Sequence, residues 1–361
     1  MRVLGLLMVA GLLWSASPVA SAATFEELAA QAAAARDANN VPQAMDLYRQ
    51  ALQLKPDWSE GWWFLGTLAY DSDQYPIGKE AFAKFVELQS QDAPGWSFLG
   101  LCEFETGDYA HSLEHIGRGL KLAGGSMEPA LTNVLQFHYA LLLVKLGLFD
   151  QALPVFLPIV KGGSQNPTLA MGIGLAALRL PLVPQEVPAS ERELVGAAGK
   201  ATYLWMNGDS SHAETALAAL VAAYPSAPNV HYLYGTFLLG THPEQALAQF
   251  KTELGINPHS ADANAMISLL LIRAGHDDVA LPLARKAVQD GESTPMAHFV
   301  YGVLLTRKGE MLEGIEQLEA AQKLDPNNLE YHIALAGAYS KFGRNEDARR
   351  ERIVSIALAK Q

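Results

Sequence analysis

His111-Ser112-Leu113-Glu114-His115 carries two histidines four residues apart with a glutamate beside them. On a helix, this H-x-x-E-H spacing can offer two zinc ligands and a general base. A catalytic zinc also needs a third protein ligand, a dry cleft and an open coordination position. No H-E-x-x-H occurs in the chain, and no carboxylate at a defined spacing supplies the third ligand. His111 and Glu114 are therefore expected on a solvated helix face, and His115 at its partly buried edge. No metal, no cofactor and no catalytic residue is expected. Cys102 is the only cysteine, so an intrachain disulfide is impossible. It stands where equivalent segments have apolar residues, such as Leu68 and Leu142, and reads as a buried, inert thiol. Arg344, Arg349, Arg350 and Arg352 alternate with Glu346, Asp347 and Glu351, as on the polar cap of a terminal structural unit. Nothing has the spacing of a phosphate-binding loop or an acyl-transfer triad.

The elements that position these residues follow a period. Ala44, Gly78 and Ser112 are 34 residues apart, each inside a helical pattern. Blocks laid on that period start at Phe25, Ser59, Ala93, Asn133, Leu194, Pro228, Ala261, Pro295 and Leu329. The eighth residue of each block is small: Ala32, Gly66, Gly100, Ala140, Ala201, Gly235, Ser268, Gly302 and Ala336. The twentieth is small as well: Ala44, Gly78, Ser112, Ala152, Ala213, Ala246, Ala280, Gly314 and Ala348, with one residue deleted before Ala246. Two uniformly small columns require two helices in close contact. The positions one helical turn away are bulky, as at Tyr48, Phe82, Ile116, Phe156 and Phe250. Asn39-Asn40, Asp73-Gln74 and Gly107-Asp108 mark mid-block turns. Lys55-Pro56-Asp57, Asn257-Pro258 and Asp325-Pro326 end second helices. Each block is a helical hairpin whose apolar faces are buried only by stacking.

This pattern resembles the tetratricopeptide repeat family, whose 34-residue unit is a helix–turn–helix. Trp62-x-x-Leu65-Gly66 and Trp96-x-x-Leu99-Gly100 match the start of its signature. Tyr70 sits one position after the family's usual tyrosine. Ala197, Asn264, His231, His298 and His332 stand where the signature has tryptophan. Packed helices lie ~8–10 Å apart, whereas zinc nitrogens lie ~2 Å from one ion, so the three histidines are expected to be substitutions rather than a metal row. The resemblance implies an all-α, right-handed superhelical solenoid of stacked hairpins, with a concave groove lined by the first helices. It implies no single activity. The family's groove positions hold Trp63, Tyr70, Phe104, Phe137, Trp205, Tyr232 and Phe299 here, with Leu101, Leu141, Leu269, Ile272 and Val303 between them. Members that grip a peptide's C-terminal carboxylate use lysines and asparagines at these positions, and this groove has almost none. The expected ligand is a protein partner offering a helix or extended segment with apolar anchors. The alternative is a role in envelope polysaccharide or protein assembly or export, with glycan contacting the same aromatics. An enzyme is not expected.

Residues 167–193 break the period. "PTLAMGIGLAALRL" reads as a first helix with Gly174 at its small position, and Pro181, Pro184 and Pro188 forbid a second helix after it. This insert is expected to be a decayed repeat or surface loop, or else a hinge or lip on the groove. It divides a four-repeat block, 23–166, from a five-repeat block, 194–361. The first 22 residues read as a signal peptide. Arg2 is the only charge before Glu26, an apolar run spans Val3 to Trp14, and Ala20-Ser21-Ala22 forms the cleavage site. The run is shorter than the ~20 residues that span a bilayer, and no later stretch is long and apolar enough. The chain is therefore expected to be exported, periplasmic or extracellular, without an integral membrane segment once cleaved. Its net charge of −12 argues against nucleic acid and anionic membranes as partners. With 50% apolar residues among 361, it has ample material for a core.

Overall fold

A computed structural model describes residues 23–291 and 294–360. The signal-peptide reading of residues 1–22 lies outside them. The described residues form nineteen α-helices and no strand. The first four hairpins pair α1 (Phe25–Asp37) with α2 (Val41–Leu54), α3 (Ser59–Asp71) with α4 (Tyr75–Leu88), α5 (Ala93–Glu105) with α6 (Tyr109–Ala123), and α7 (Pro129–Lys145) with α8 (Phe149–Lys161). A single helix, α9 (Pro167–Ala177), and a short 3₁₀ turn at Pro184–Glu186 follow. The remaining five hairpins pair α10 (Arg192–Asn207) with α11 (Ser210–Ala223), α12 (Val230–Leu238) with α13 (Pro243–Ile256), α14 (Ala261–Arg273) with α15 (Asp277–Asp290), α16 (Pro295–Lys308) with α17 (Met311–Leu324), and α18 (Leu329–Phe342) with α19 (Asn345–Leu358). The result is an all-α solenoid of stacked hairpins.

The small columns explain the hairpins. All eighteen of their residues are buried. A Cβ added at Gly100 would stand 2.6 Å from Ile116 Cγ1, and one at Gly235 2.7 Å from the Phe250 ring. The bulky residue of the second helix thus fills the notch left by the small residue of the first. Ser112 Oγ donates to Gly100 O at 2.7 Å, which satisfies its hydroxyl inside the same contact. Asn39 and Asp73 hold the left-handed turn conformation (φ 56° and 57°) that glycines supply at Gly107, Gly147 and Gly208.

Helices begin at Phe25, Ser59, Ala93, Ala261, Pro295 and Leu329, where the period places block starts. The other three boundaries differ. The fourth hairpin starts at Pro129 rather than Asn133, because Pro129 opens the helix and the Glu128 carboxylate accepts from Leu131 N (3.1 Å), adding a turn. The fifth starts at Arg192 rather than Leu194, and the sixth at Val230 rather than Pro228.

The insert departs from one of its expected forms, the surface loop, and keeps the single helix of a decayed repeat. The prolines do prevent a second helix, yet this is no surface loop. Leu169, Ile173, Leu175, Leu178, Val183 and Val187 are all buried, in a core cluster that runs from Leu101 to Leu233. The two repeat blocks are therefore joined by a continuous core across residues 167–193. α9 lies against α10 at glycine–glycine range: a Cβ on Gly174 would stand 2.0 Å from Val195 O, and one on Gly199 1.7 Å from Ala170 O.

Candidate functional site

The H-x-x-E-H residues lie on α6 and do not build a metal centre. Glu114 is exposed. His111 Nδ1 lies 2.8 Å from Asp108 Oδ1 in solvent, while His115 Nδ1 lies 2.7 Å from Glu103 Oε2. Among the described residues no three His, Cys, Asp or Glu side chains converge to hold a metal. His115 is more than the edge of a solvated face, because Glu103, on the first helix of the same hairpin, is only 4% exposed. The imidazole is the buried carboxylate's partner, and it also packs against Trp96, ring centroids 5.0 Å apart. We expect His115→Ala to destabilise the fold by about 2 kcal/mol, since it strands a buried carboxylate that some water can still reach. His111→Ala should stay within about 0.5 kcal/mol of the parent, as for other surface changes. Chemical denaturation of the two single variants checks the contrast, and equal midpoints would remove the role given to His115.

The histidines at the signature tryptophan position have a specific chemistry. Trp62 Nε1 donates to Pro56 O (2.8 Å) and Trp96 Nε1 to Ser90 O (3.0 Å), in each case a carbonyl six residues upstream. His231 Nε2 meets Pro225 O at 3.1 Å and His332 Nε2 meets Pro326 O at 2.8 Å, the same carbonyl in their own repeats. Histidine keeps the ring N–H that ties each first helix to the preceding turn. Its second nitrogen gains a partner on the following helix: Gln249 for His231, Gln317 for His298 and Glu351 for His332. Cys102 is fully buried, and burial pushes its thiol up to about 12, so it is not a nucleophile. In the C-terminal cap, Arg344 pairs with Glu319 and Asp347, and Arg350 also pairs with Asp347.

The groove residues divide. Trp63, Tyr70, Phe137 and Trp205 are half-buried. Phe104 (5% exposed), Tyr232 (6%) and Phe299 (8%) are core residues, not open floor. Each is covered by neighbouring side chains: Phe104 by Tyr109 and by His138 (4.9 Å), Tyr232 by Phe250 and Arg179, and Phe299 by Tyr331 (5.0 Å). Leu101, Leu141, Leu269 and Ile272 are buried too, and Val303 is half-buried. The aromatics of the N-terminal half also form two separate groups. Trp63 and Tyr70 meet through Phe98, whose ring centroid lies 5.8 Å from one and 5.2 Å from the other. Phe104 and Phe137 meet through His138. Sequence reasoning missed both linking residues. They share the sixth position of their blocks, beside the fifth, and Phe64 at that position one repeat earlier was the available signal.

Trp63 is the anchor set in an open depression. It lines a surface depression of about 370 Å³ with Phe85, Pro94, Ser59, Gln89, Glu60 and Asp92. Its indole N–H makes no hydrogen bond among the described residues, unlike those of Trp62 and Trp96. Glu60 and Asp92 have no cationic partner among the described residues, and Asp92 serves only as the N-cap of α5, accepting from Gly95 N at 2.7 Å. The depression thus offers an aromatic wall and an unneutralised acidic rim.

The tetratricopeptide repeat model matches residues 140–202, 198–261 and 265–328, together just over half of the chain. The first match runs through the insert without a break. Among solved structures, MamA (residue 41 to its end) from Desulfovibrio magneticus RS-1 is 18% identical. That alignment covers 46% of this chain and 96% of MamA, with a TM-score of 0.37. YrrB, described as a TPR protein with an unusual peptide-binding site, is 20% identical over 47% of this chain and 89% of its own, with a TM-score of 0.35. The comparison with curated proteins returned no match. A family model that matches over half of the residues, on helices that mostly start where a 34-residue period puts them, makes this chain a member of the tetratricopeptide repeat family.

Proposed function

We propose that the chain is an exported, non-enzymatic scaffold that holds a protein partner against the N-terminal part of its concave face. The observation that carries this reading is Trp63, a half-buried aromatic whose N–H makes no hydrogen bond among the described residues, set in an open depression beside two carboxylates without a cationic partner among them. Such a surface suits a helix or extended segment that seats an apolar anchor and flanks it with a basic side chain. The chain's net charge of −12 favours a basic partner in the same direction. The reading of export rests on the charge, apolar run and Ala20-Ser21-Ala22 site of the first 22 residues. Among the described residues no helix is long and apolar enough to cross a membrane.

Trp63→Ala combined with Tyr70→Ala should weaken partner binding at least about tenfold, or ~1.4 kcal/mol. Glu114→Ala, on an exposed position of α6, should leave it unchanged. The test immobilises each variant, recovers its partner from envelope extract and titrates that partner by calorimetry. Circular dichroism must show that the double variant is folded, because both rings also support Phe98. A folded double variant that binds as well as the parent sinks the site. Recovery of polysaccharide in place of protein would retain the aromatic site and overturn the protein-partner reading.

A further inference from the structure

In a solenoid, each repeat is expected to touch only its neighbours. The first turn of α8, in the fourth repeat, breaks that rule. Gln151 Nε2 donates to Leu324 O at 2.9 Å, at the end of the eighth repeat and 173 residues away. Beside it, Arg179 follows α9 in the left-handed conformation (φ 54°), and its side chain is only 10% exposed. Its guanidinium faces two acids from different repeats. Nη1 lies 2.8 Å from Asp150 Oδ1 and Nη2 3.2 Å from Asp150 Oδ2, in the first turn of α8. Nε lies 2.7 Å from Asp262 Oδ2, in the first turn of α14 in the seventh repeat. That last contact is a close ion pair but poorly aligned, so the buried Nε–H lacks a well-directed acceptor. The guanidinium carbon also lies 5.2 Å from the centre of the Phe149 ring and 5.3 Å from that of Tyr232.

Phe149, Asp150, Gln151, Arg179 and Asp262 line a partly open space of about 250 Å³, whose other walls include Thr294, Pro295 and Asp325. Two carboxylates, Asp150 and Asp262, thus share one guanidinium, and Asp325 stands in the wall of the same space. Burial would raise Asp150, but the charge and hydrogen bonds of Arg179 hold it below the usual carboxylate range. For Asp262 burial outweighs the same attraction, and its carboxyl is raised. The junction is made by side chains: α8 packs extensively with neither α14 nor α17. It is therefore a contact that can be broken without dismantling a helix interface. It also lies on the family's concave side, since Tyr232 occupies a groove position of its repeat.

We propose that Arg179 is the pin of an intramolecular clamp that ties the fourth repeat to the seventh and eighth, holds the superhelix closed and covers the concave floor at Tyr232. Releasing the pin lets the two ends of the solenoid move apart and uncovers that floor. Three chemical features make Arg179 suited to this. Its fork engages one carboxylate with two nitrogens and leaves the third for another repeat, it cannot deprotonate, and it stacks on aromatic faces.

The test uses the full chain with spin labels on cysteines placed at Glu80 on α4 and Lys341 on α18, both exposed, with the buried Cys102 left in place. Pulsed dipolar spectroscopy then reads the distance between the two ends. In the parent a single narrow distribution is expected. Arg179→Ala should broaden it and lengthen it by ~10 Å, the spacing of one packed helix. Arg179→Lys should open it in part, since it keeps the charge and loses the fork. If Arg179→Ala does not fold, Gln151→Ala combined with Asp262→Asn removes the long-range ties without leaving an unpaired charge on Arg179, which keeps Asp150. That variant should open the distance as well. A folded variant of either kind with the parent's distance and width overturns the clamp.

Discussion

Gly199→Ala should destabilise the chain by about 3 kcal/mol or more, a large effect for one methyl group. The reason is the contact between α9 and α10. The new Cβ would lie 1.7 Å from Ala170 O and 2.6 Å from Ala170 C, and both are backbone atoms. No rotamer change can relieve such a clash. The helices must separate, and Leu169, Ile173, Val195 and Ala198, all buried at or near this crossing, lose close packing together. Gly196 provides the control. It lies one turn earlier on the same helix, and nothing stands within 4 Å of a Cβ placed there. Gly196→Ala should therefore stabilise by up to about 1 kcal/mol, the ordinary helix preference for alanine. Two identical chemical changes three residues apart are thus expected to have opposite signs. Urea unfolding followed by circular dichroism measures both. If Gly199→Ala moved the midpoint in the same direction as Gly196→Ala, the close crossing of α9 and α10 would be wrong.

That crossing shows where the sequence was legible. A constraint that recurs in every repeat leaves a column, so the small residues at the eighth and twentieth positions disclosed the hairpin contact, and the structure buries all of them. Gly199 serves a contact made once, at the sixth position of its block, and no column marks it. The insert was read correctly as far as local chemistry goes, since its prolines do stop a second helix. Its burial was not legible, because Val183 and Val187 look the same in a surface loop as in a core, and only the neighbours that cover them decide. The groove positions show the same limit. Spacing places Trp63 and Phe104 toward one side of their helices, but it does not say how closely the next helix approaches, and Phe104 ends up enclosed. Charged residues mislead most. Glu103 and Glu253 sit in patterns that favour an exposed helix position, yet both are buried with polar partners.

Glu253→Ala is expected to destabilise the sixth repeat by about 3 kcal/mol, through the start of α12 rather than through α13, where the residue lies. The first turn of any helix leaves backbone N–H groups without intrahelical acceptors, and a side chain at the N-cap ordinarily supplies one. Here the N-cap is Asn229, which sits at φ 67° and makes no capping bond. Its amide instead donates to Leu178 O at 2.9 Å, tying α12 to the end of α9. The missing acceptor arrives from the partner helix. Glu253, fully buried, accepts from Asn229 N at 2.8 Å and from Tyr232 N at 3.3 Å, one carboxylate oxygen for each. A carboxylate is favoured at that end because the helix dipole presents partial positive charge there. Alanine would strand two N–H groups in a dry interior at the start of a helix of only nine residues. Glu253→Gln keeps one acceptor and turns an amide donor toward the other N–H, so it should fall between the parent and alanine. Hydrogen exchange gives the local readout: amide protection from Val230 to Leu233 should drop in Glu253→Ala before protection in α16 and α17 does. Unchanged protection there, with a midpoint within about 0.5 kcal/mol of the parent, would mean that water caps α12 as well as the carboxylate does.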